Sequence, residues 1–427
     1  MKPKVLTCIT AIAVFAALAA PVGTAAQDRP GHHKGHGGYA VTNLGTLGGT
    51  FAVGNAISNS GWVAGAANLK GDTVEHAFLW TKKSGMTDLG TLGGPNSFVG
   101  WPVDNERGLL AGVSDTSNPD PYNENFCGFG TGLICLGFLW EDDVMSPLGT
   151  LGGNNSYASG VNNRGQAVGV AESTLDSNCT PPQVFDYEAV IWGPKSGEIH
   201  QLNPLSGDPV GYALAINQKG QVVGATGPCV PLAPLPHAVL WEKDGTPINL
   251  GNLGGALNNV AGDINDRGEV VGGSDLAGDT YTHAFLWTKD NGMQDLGTLS
   301  GDVNSSADGI NNRGQVVGSS CDASGNCRAF LWTKEEGMQD LNTLVCAGTK
   351  LYLTNSDGAD ISDRGEITGE AYDPNSGATP AYLAVPTHGN GHCEAGPYAG
   401  QKVILPENVR QRAQQQRRFG PFAVGMK

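Results

Sequence analysis

The sequence has few charged residues for its length. Asp, Glu, Lys and Arg make up 15% of its 427 residues, against about 25% in ordinary globular domains. Glycine and proline, at 64 and 24 residues, are abundant by comparison. Because Val, Leu and Trp recur at regular positions among them, this composition predicts a chain with many turns and argues against a disordered one.

The motifs of several enzyme classes are missing from the sequence. It contains no GxSxG, no HExxH and no phosphate-binding loop, and the lack of CxxC argues against a zinc site. Carboxylate pairs that cleave glycosides are recognised by a separation of about 5 Å or about 6.5–9.5 Å, which a sequence does not give. We therefore predict a binding or scaffolding module. A polysaccharide hydrolase or lyase and a purely structural envelope protein are the alternatives.

Only one run of the sequence is long and apolar. It lies in residues 1–26, after Lys2 and Lys4, and ends in small residues before Gln27, which predicts a cleaved signal peptide and an extracellular or periplasmic protein. No other segment could span a bilayer. The formal net charge of −16 disfavours nucleic acid as a partner.

One phrase, GINNRGQVVG at residues 309–318, recurs seven times. Asn311 can hydrogen-bond its own backbone at the start of a turn, and Gly314 can adopt a positive φ at its end. The β-branched residues that follow predict a strand, so that each copy is a β-hairpin. The copies lie at Ile57–Gly65, Val103–Gly112, Val161–Gly169, Ile216–Gly224, Ile264–Gly272, Ile310–Gly318 and Ile361–Gly369.

Two other phrases accompany each hairpin, HAFLW (as at His283–Trp287) and LGTLGG (as at Leu44). Successive copies of LGTLGG start 45 to 59 residues apart. One period holds four strand-like pieces, which predicts a propeller blade. The alternation in HAFLW places His, Phe and Trp on one face, where we expect Trp to fill the space between blades. The predicted fold is all-β, a seven-bladed β-propeller of four-stranded blades.

Together the three phrases resemble the HAF-type extracellular repeat of bacteria, over residues 39–385. The resemblance implies a secreted or surface-associated protein. It supplies no catalytic residues. The second and third copies depart from the pattern through long insertions, and the seventh copy lacks the Trp.

The two ends of the repeat array complement each other. The seventh copy ends with a third strand at Ala381–Val385, whereas Tyr39–Leu47 is a fourth strand without a blade before it. We expect the N-terminal strand to complete the C-terminal blade, because this pairing removes exposed strand edges. The expected segments are a signal peptide (1–26), a His/Gly-rich linker (27–38), the propeller (39–385) and a basic, Gln-rich tail (386–427), a solvated and partly helical extension.

Closure of the ring would bring two histidine-rich tails together. Two disordered, weakly chelating tails are the expected outcome, and a soft divalent metal such as Zn or Cu is the alternative. The residues concerned are His32, His33, His36, His388 and His392.

Eight cysteines follow the signal peptide, an even number that predicts disulfides in an exported protein. We expect three bonds from shared or equivalent loops. Cys346 and Cys393 remain, and their pairing stays open because they follow strands that end on opposite faces. The expected bonds are Cys127–Cys135, Cys179–Cys229 and Cys321–Cys327.

Three carboxylates interrupt the otherwise neutral innermost strands: Asp263, Asp308 and Asp360. Local turn bonding or solvation is the expected role, and a structural divalent cation held by oxygen ligands is the alternative. The sequence requires no other cofactor.

The connections between second and third strands vary most in length, at Ser114–Leu136, Ser173–Asp186 and Thr226–Pro236. Variable loops on a fixed scaffold commonly carry binding sites. Tyr122, Phe126 and Phe129 in the first of these suit contact with a glycan or an extracellular protein, and packing of the loop on its own blade is the alternative. We expect the protein to be a monomer.

Overall fold

The fold is known from a computed structural model, which describes residues 38–100, 105–175, 179, 183–229, 234–387 and 393–419. Seven antiparallel four-stranded sheets stand in a ring, so the predicted seven-bladed β-propeller is confirmed. The predicted signal peptide and the five tail histidines lie outside the described residues.

Each blade is a meander that runs from an innermost to an outermost strand. In blade 7 the innermost strand is split in two, and the N-terminal strand is the outermost. The elements are β1 (Tyr39–Gly45); in blade 1 β2 (Gly48–Ile57), β3 (Val63–Leu69), β4 (Glu75–Thr81) and β5 (Gly85–Asp88); in blade 2 β6 (Gly93–Phe98), β7 (Leu110–Pro119), β8 (Leu133–Glu141) and β9 (Val144–Pro147); in blade 3 β10 (Ser156–Val161), β11 (Ala167–Leu175), β12 (Phe185–Trp192) and β13 (Ile199–Leu202); in blade 4 β14 (Val210–Ile216), β15 (Val222–Gly227), β16 (His237–Trp241) and β17 (Pro247–Asn249); in blade 5 β18 (Gly254–Ile264), β19 (Val270–Leu276), β20 (Thr282–Thr288) and β21 (Gly292–Gly297); in blade 6 β22 (Asn304–Ile310), β23 (Val316–Cys321), β24 (Cys327–Thr333) and β25 (Gly337–Asp340); then α1 (Leu341–Leu344); in blade 7 β26 (Tyr352–Leu353), β27 (Ala359–Ile361), β28 (Ile367–Tyr372) and β29 (Ala381–Pro386); and finally α2 (Glu407–Phe419).

The repeated hairpin phrase follows from local geometry. In blade 6, Asn311 Oδ1 accepts the N–H groups of Arg313 and Gln315, both at 3.0 Å, and Gly314 has a φ of 76°. A bulge in β22 brings the carbonyl oxygen of Ser306 against Gly318, where a Cβ would overlap it. Gly314 and Gly318 are therefore required, the first by a left-handed turn and the second by close backbone approach.

The hydrophobic core lies between adjacent blades. Phe78, Phe138, Phe285 and Phe330, the aromatic residues of HAFLW-type strands, are fully buried. Four tryptophans at the ends of these strands are also buried, and Trp241 Nε1 donates to the carbonyl oxygen of Asn203 in the linker before its blade at 2.7 Å. Each blade thus buries the apolar face of the neighbouring blade, which that blade cannot bury by itself.

The ring closes through β1. This strand pairs with β29 in antiparallel register, with Ala40 opposite Val385 and Val41 opposite Ala384. Tyr39 and Leu44 of β1 are buried. The expected completion of the C-terminal blade by the N-terminal strand is therefore confirmed.

The two faces of the disc are built differently. The turn face carries the turns from first to second and from third to fourth strands. The insertion-loop face carries the connections from second to third strands and the linkers into the next blade. All three long insertions are on the insertion-loop face, because each joins a second to a third strand.

Four disulfides are present, and the three expected pairings are confirmed. The fourth bond joins Cys346 to Cys393. This pairing forms because the chain beyond α1 returns along the outside of blade 7, where the N–H of Cys346 donates to the carbonyl oxygen of Tyr39.

Residues 393–419 form a strap that begins at this disulfide and ends with α2. Leu405, Val409 and Ala413 are buried, and Leu405 N–H donates to Asn326 Oδ1 in blade 6 at 2.9 Å. The expected solvated extension is therefore packed against the propeller. Neither helix of the described residues is long and apolar enough to cross a bilayer.

Removal of β1 should open the ring. A chain that begins at Gly48 loses the burial of Tyr39 and Leu44, which costs about 3–6 kcal/mol, and leaves the edge of β29 unpaired. We expect a lower melting temperature in calorimetry and self-association in size-exclusion chromatography. A synthetic peptide of residues 38–47 should restore the melting temperature, and the same peptide with Leu44→Asp should not. Failure of the first peptide would contradict this closure.

Candidate functional site

A closed ring of hydrogen bonds runs around the channel mouth on the turn face. The residues of this ring lie in the turn between the first and second strands of each blade. The second residue of that turn donates its backbone N–H to a side-chain oxygen of the corresponding residue in the next blade, at 2.7 to 3.0 Å. The last link, from Asp363 to Asn59, joins blade 7 to blade 1. The seven residues in order are Asn59, Glu106, Asn163, Gln218, Asp266, Asn312 and Asp363.

Two of the predicted site carboxylates lie beside this ring and bridge blades. Asp263 accepts the N–H groups of Ile264 (2.8 Å) and Ile310 (2.9 Å). Asp360 likewise bonds to its own following residue and to Ile57 of blade 1 at 2.8 Å. Burial raises the pKa of Asp263 to about 6, opposed by the two backbone donors. Both side chains line a shallow depression at the channel mouth, with a cavity volume of only about 40 Å³.

Asp308 does not join them. It lies in the bulge of β22, one step out of phase with Asp263, and burial and the charge of Asp357 raise its pKa well above the ordinary value. Among the described residues, the grouped side chains with metal-ligand spacing are Cys179, Asp186 and Cys229, and the two cysteines form a disulfide. The structure therefore does not bring Asp263, Asp308 and Asp360 together as cation ligands.

The three insertion aromatics have different surroundings. Phe126 packs edge-on against Tyr187, and Phe129 packs against Phe98, with ring centroids 6.0 and 5.6 Å apart. Both are half-buried. Tyr122 is 47% exposed, so it is the member of the three that presents most surface to a ligand.

Exposed apolar side chains favour one face. Besides Tyr122, the insertion-loop face presents Leu257 at the start of β18, Tyr281 before β20 and Ile404 in the strap, exposed by 42 to 81%. The other large hydrophobic side chain exposed among the described residues, Val144, lies on the turn face. The insertion-loop face thus carries four of the five exposed large hydrophobic side chains of the described residues.

A buried pair of carboxyl groups, Glu124 and Glu172, lies under the first insertion. Glu124 Oε1 accepts the Val184 N–H at 2.6 Å, and Glu172 Oε2 accepts the Asn155 N–H at 2.8 Å. The remaining Glu124 oxygen is buried without a hydrogen-bond donor, and Glu172 is the neighbouring carboxyl group, so we infer that the two groups share a proton. Burial, then the charge of Glu124, raises the pKa of Glu172 to about 7. Sequence reasoning missed this pair, because its members lie in different blades without a shared motif.

Arg412 of α2 reaches into the insertion-loop face over blades 7 and 1. Its Nη2 lies 2.7 Å from Glu370 and its Nε 3.0 Å from Asp357, while its guanidinium carbon is 4.6 Å from the centroid of the Phe51 ring. Burial and the charge of Asp357 raise the pKa of Glu370 to about 7, and Arg412 opposes this. The local net positive charge of the tail was the one sequence signal for this contact in an otherwise acidic chain.

The Glu124–Glu172 pair should make stability depend on pH. Between about pH 4.5 and 7 the folded chain holds a proton that the unfolded chain has released, so the free energy of unfolding falls as pH rises through about 7. In Glu124→Gln the amide donates in place of the shared proton. We expect this variant to be about 1–3 kcal/mol more stable than the unmodified chain at pH 8 and equal to it at pH 4.5, in urea unfolding.

Glu141→Gln is the matched control for this experiment, since Glu141 is half exposed at the turn face. Its stability should follow that of the unmodified chain at both pH values. An unchanged pH slope in Glu124→Gln would show that the two carboxyl groups do not share a proton.

Two comparisons of the sequence with known proteins give little. A family described as a protein of unknown function (DUF3466) matches residues 252–382, which span blade 5, blade 6 and most of blade 7. No HAF-type repeat family matches, so the expected membership of that family is wrong. No curated protein matches the chain.

Three similar solved structures share 8 to 11% identity with this chain. Puromycin hydrolase is similar at 11% identity and a TM-score of 0.44, over 78% of this chain and 53% of its own. Streptogramin B lyase has 8% identity and a TM-score of 0.47, over 82% of this chain and 98% of its own. TolB from Acinetobacter baumannii has 10% identity and a TM-score of 0.41, over 78% of this chain and 65% of its own. The chain thus spans about half the length of puromycin hydrolase, and none of these likenesses bears on activity.

Proposed function

We propose that the protein is an exported binding module that holds a glycan or an extracellular protein on its insertion-loop face. The observation that carries this proposal is the exposure of Tyr122, Leu257, Tyr281 and Ile404 on that face, against Val144 alone on the turn face among the described residues. Amphipathic and apolar anchors of this kind supply most of the energy in protein interfaces and sugar contacts.

The construction of the face supports the same role. Three disulfides lie in its connections, one of them across blades 3 and 4. Loops held in this way lose little conformational entropy when a ligand binds, which favours affinity. Disulfides also suit an oxidising compartment outside the cytoplasm, so export through a signal peptide at 1–26 belongs to this proposal, as do a propeller at 39–385 and a monomeric state.

The alternative of a polysaccharide hydrolase or lyase gains no support from the described residues. Glu124 and Glu172 are a pair of carboxyl groups, but they are only 2% and 0% exposed. A substrate could reach them only after the first insertion moved away. We therefore place ligand contact on the exposed surface of the insertion-loop face.

The proposal is tested by removing the exposed anchors together. A Tyr122→Ala/Leu257→Ala/Tyr281→Ala chain should keep its melting temperature, because these side chains are exposed, and should bind at least tenfold more weakly to ligands found with glycan and extracellular-protein arrays. Mass spectrometry of each glycan after incubation would detect any cleavage.

Val144→Ala is the matched control, since Val144 is 59% exposed on the opposite face. It should bind as the unmodified chain does. Equal binding by the triple variant would place the site elsewhere, and cleaved glycans would favour the enzyme alternative.

A further inference from the structure

The propeller distributes its charges unequally between its faces. Of the fifteen lysines and arginines from Tyr39 to Pro386, twelve lie in the turns of the turn face. The described connections of the insertion-loop face contain nine carboxylates and two lysines. A surface of this kind attracts cationic partners and repels anionic ones.

The strap places its own cations on this acidic face. Lys402 Nζ lies 2.8 Å from Asp302 and 3.0 Å from Asp322, both near blade 6. Arg412 pairs with Glu370 and Asp357 of blade 7. The strap thus shows how a basic segment is held there.

The Arg412 site has the features of a specific guanidinium receptor. Glu370 is fully buried and Asp357 is 6% exposed at its side chain, so both are largely withdrawn from water. Thr379 Oγ1 accepts from Arg412 Nη2 at 3.1 Å, and the Phe51 ring lies under the guanidinium plane. A fork of planar donors over an aromatic ring suits arginine and does not suit lysine.

The helix that fills this receptor is lightly attached. Of the side chains described between Glu407 and Gln414, only Val409 and Ala413 are buried, and Ala413 packs on the Cys321–Cys327 bond. Among the side chains described, these two small apolar contacts, the ion pairs of Arg412 and two 3.4 Å hydrogen bonds, from Arg410 and Gln414 to the Ser324 carbonyl oxygen, attach α2 to the propeller. A tethered occupant of this kind raises the concentration that a competitor needs, but it does not seal the site.

We propose that the site formed by Phe51, Asp357 and Glu370 is a receptor for an arginine-bearing basic segment of a partner protein, and that α2 occupies it in the free chain. This inference rests on the proposed binding role of the insertion-loop face and names a partner class for it. The partner segment would present an arginine next to small apolar residues, as α2 does.

A labelled peptide of residues 401–419 tests the receptor in the full-length chain. Arg412→Ala in the chain weakens the resident helix, so this variant should bind the peptide at least tenfold more tightly than the unmodified chain does. Gln411→Ala, on the same helix, should bind as the unmodified chain does, because Gln411 is exposed and bonds only to Glu407 of α2 itself. The peptide carrying Arg412→Lys or Arg412→Ala should not bind. Equal affinity of the Arg412→Ala and unmodified chains would overturn the proposal.

A second measurement needs no variant of the chain. Excess peptide should displace α2 from the unmodified protein and speed the amide hydrogen exchange of residues 407–419, and the Arg412→Ala peptide should leave it unchanged. Unaltered exchange with the first peptide would also overturn the proposal. The Tyr122/Leu257/Tyr281 triple variant keeps the receptor, so a failure of peptide binding and a failure of the proposed function are measured separately.

Discussion

Each blade of this propeller is held to the next by a hydrogen bond that must recur seven times without a gap. The donor is always a backbone N–H, so the constraint falls on the acceptor. The seven acceptors are three asparagines, two aspartates, one glutamine and one glutamate. What is shared is a side-chain oxygen within reach of the neighbouring turn. Among the described residues the other face shows no such ring, and the long insertions are found there.

Repetition is what made the fold predictable. The hairpin phrase specifies a turn and two glycines whose geometry is local. In addition, the seventh copy of the repeat lacks a fourth strand, and the N-terminal strand supplies it. The phrases describe the packing of a blade, so they predicted the fold and misled about the family. Arg412 and the Glu124–Glu172 pair occur once each and depend on contacts between distant segments, which no repeat reveals. The sequence singled out Asp263 and Asp360, but it did not indicate which backbone N–H groups their carboxylates accept.

The faces of the disc thus divide two tasks. The turn face joins the blades, through the ring and through carboxylates such as Asp263 and Asp360 that reach the following blade. The insertion-loop face carries the length variation, three disulfides and, in its described connections, more acidic than basic residues. Its cations come largely from the strap, where Lys402 and Arg412 meet four carboxylates. A surface that its own tail can neutralise is also one that another chain could neutralise.

The pairing of the first strand with the last blade sets the order in which the molecule can form. One hydrogen bond between the turns of neighbouring blades joins residues 48 positions apart in the sequence, whereas the bond that closes the ring joins residues 304 positions apart. The added loop-closure entropy is only about 1.6 kcal/mol, so it hardly weakens the finished ring. Its effect is on timing, because non-local contacts form late. The amino-terminal strand stays unpaired until β29 has been synthesised and has folded into place. A chain exported from its amino terminus would therefore remain open between β1 and β29 until its carboxyl-terminal part emerged.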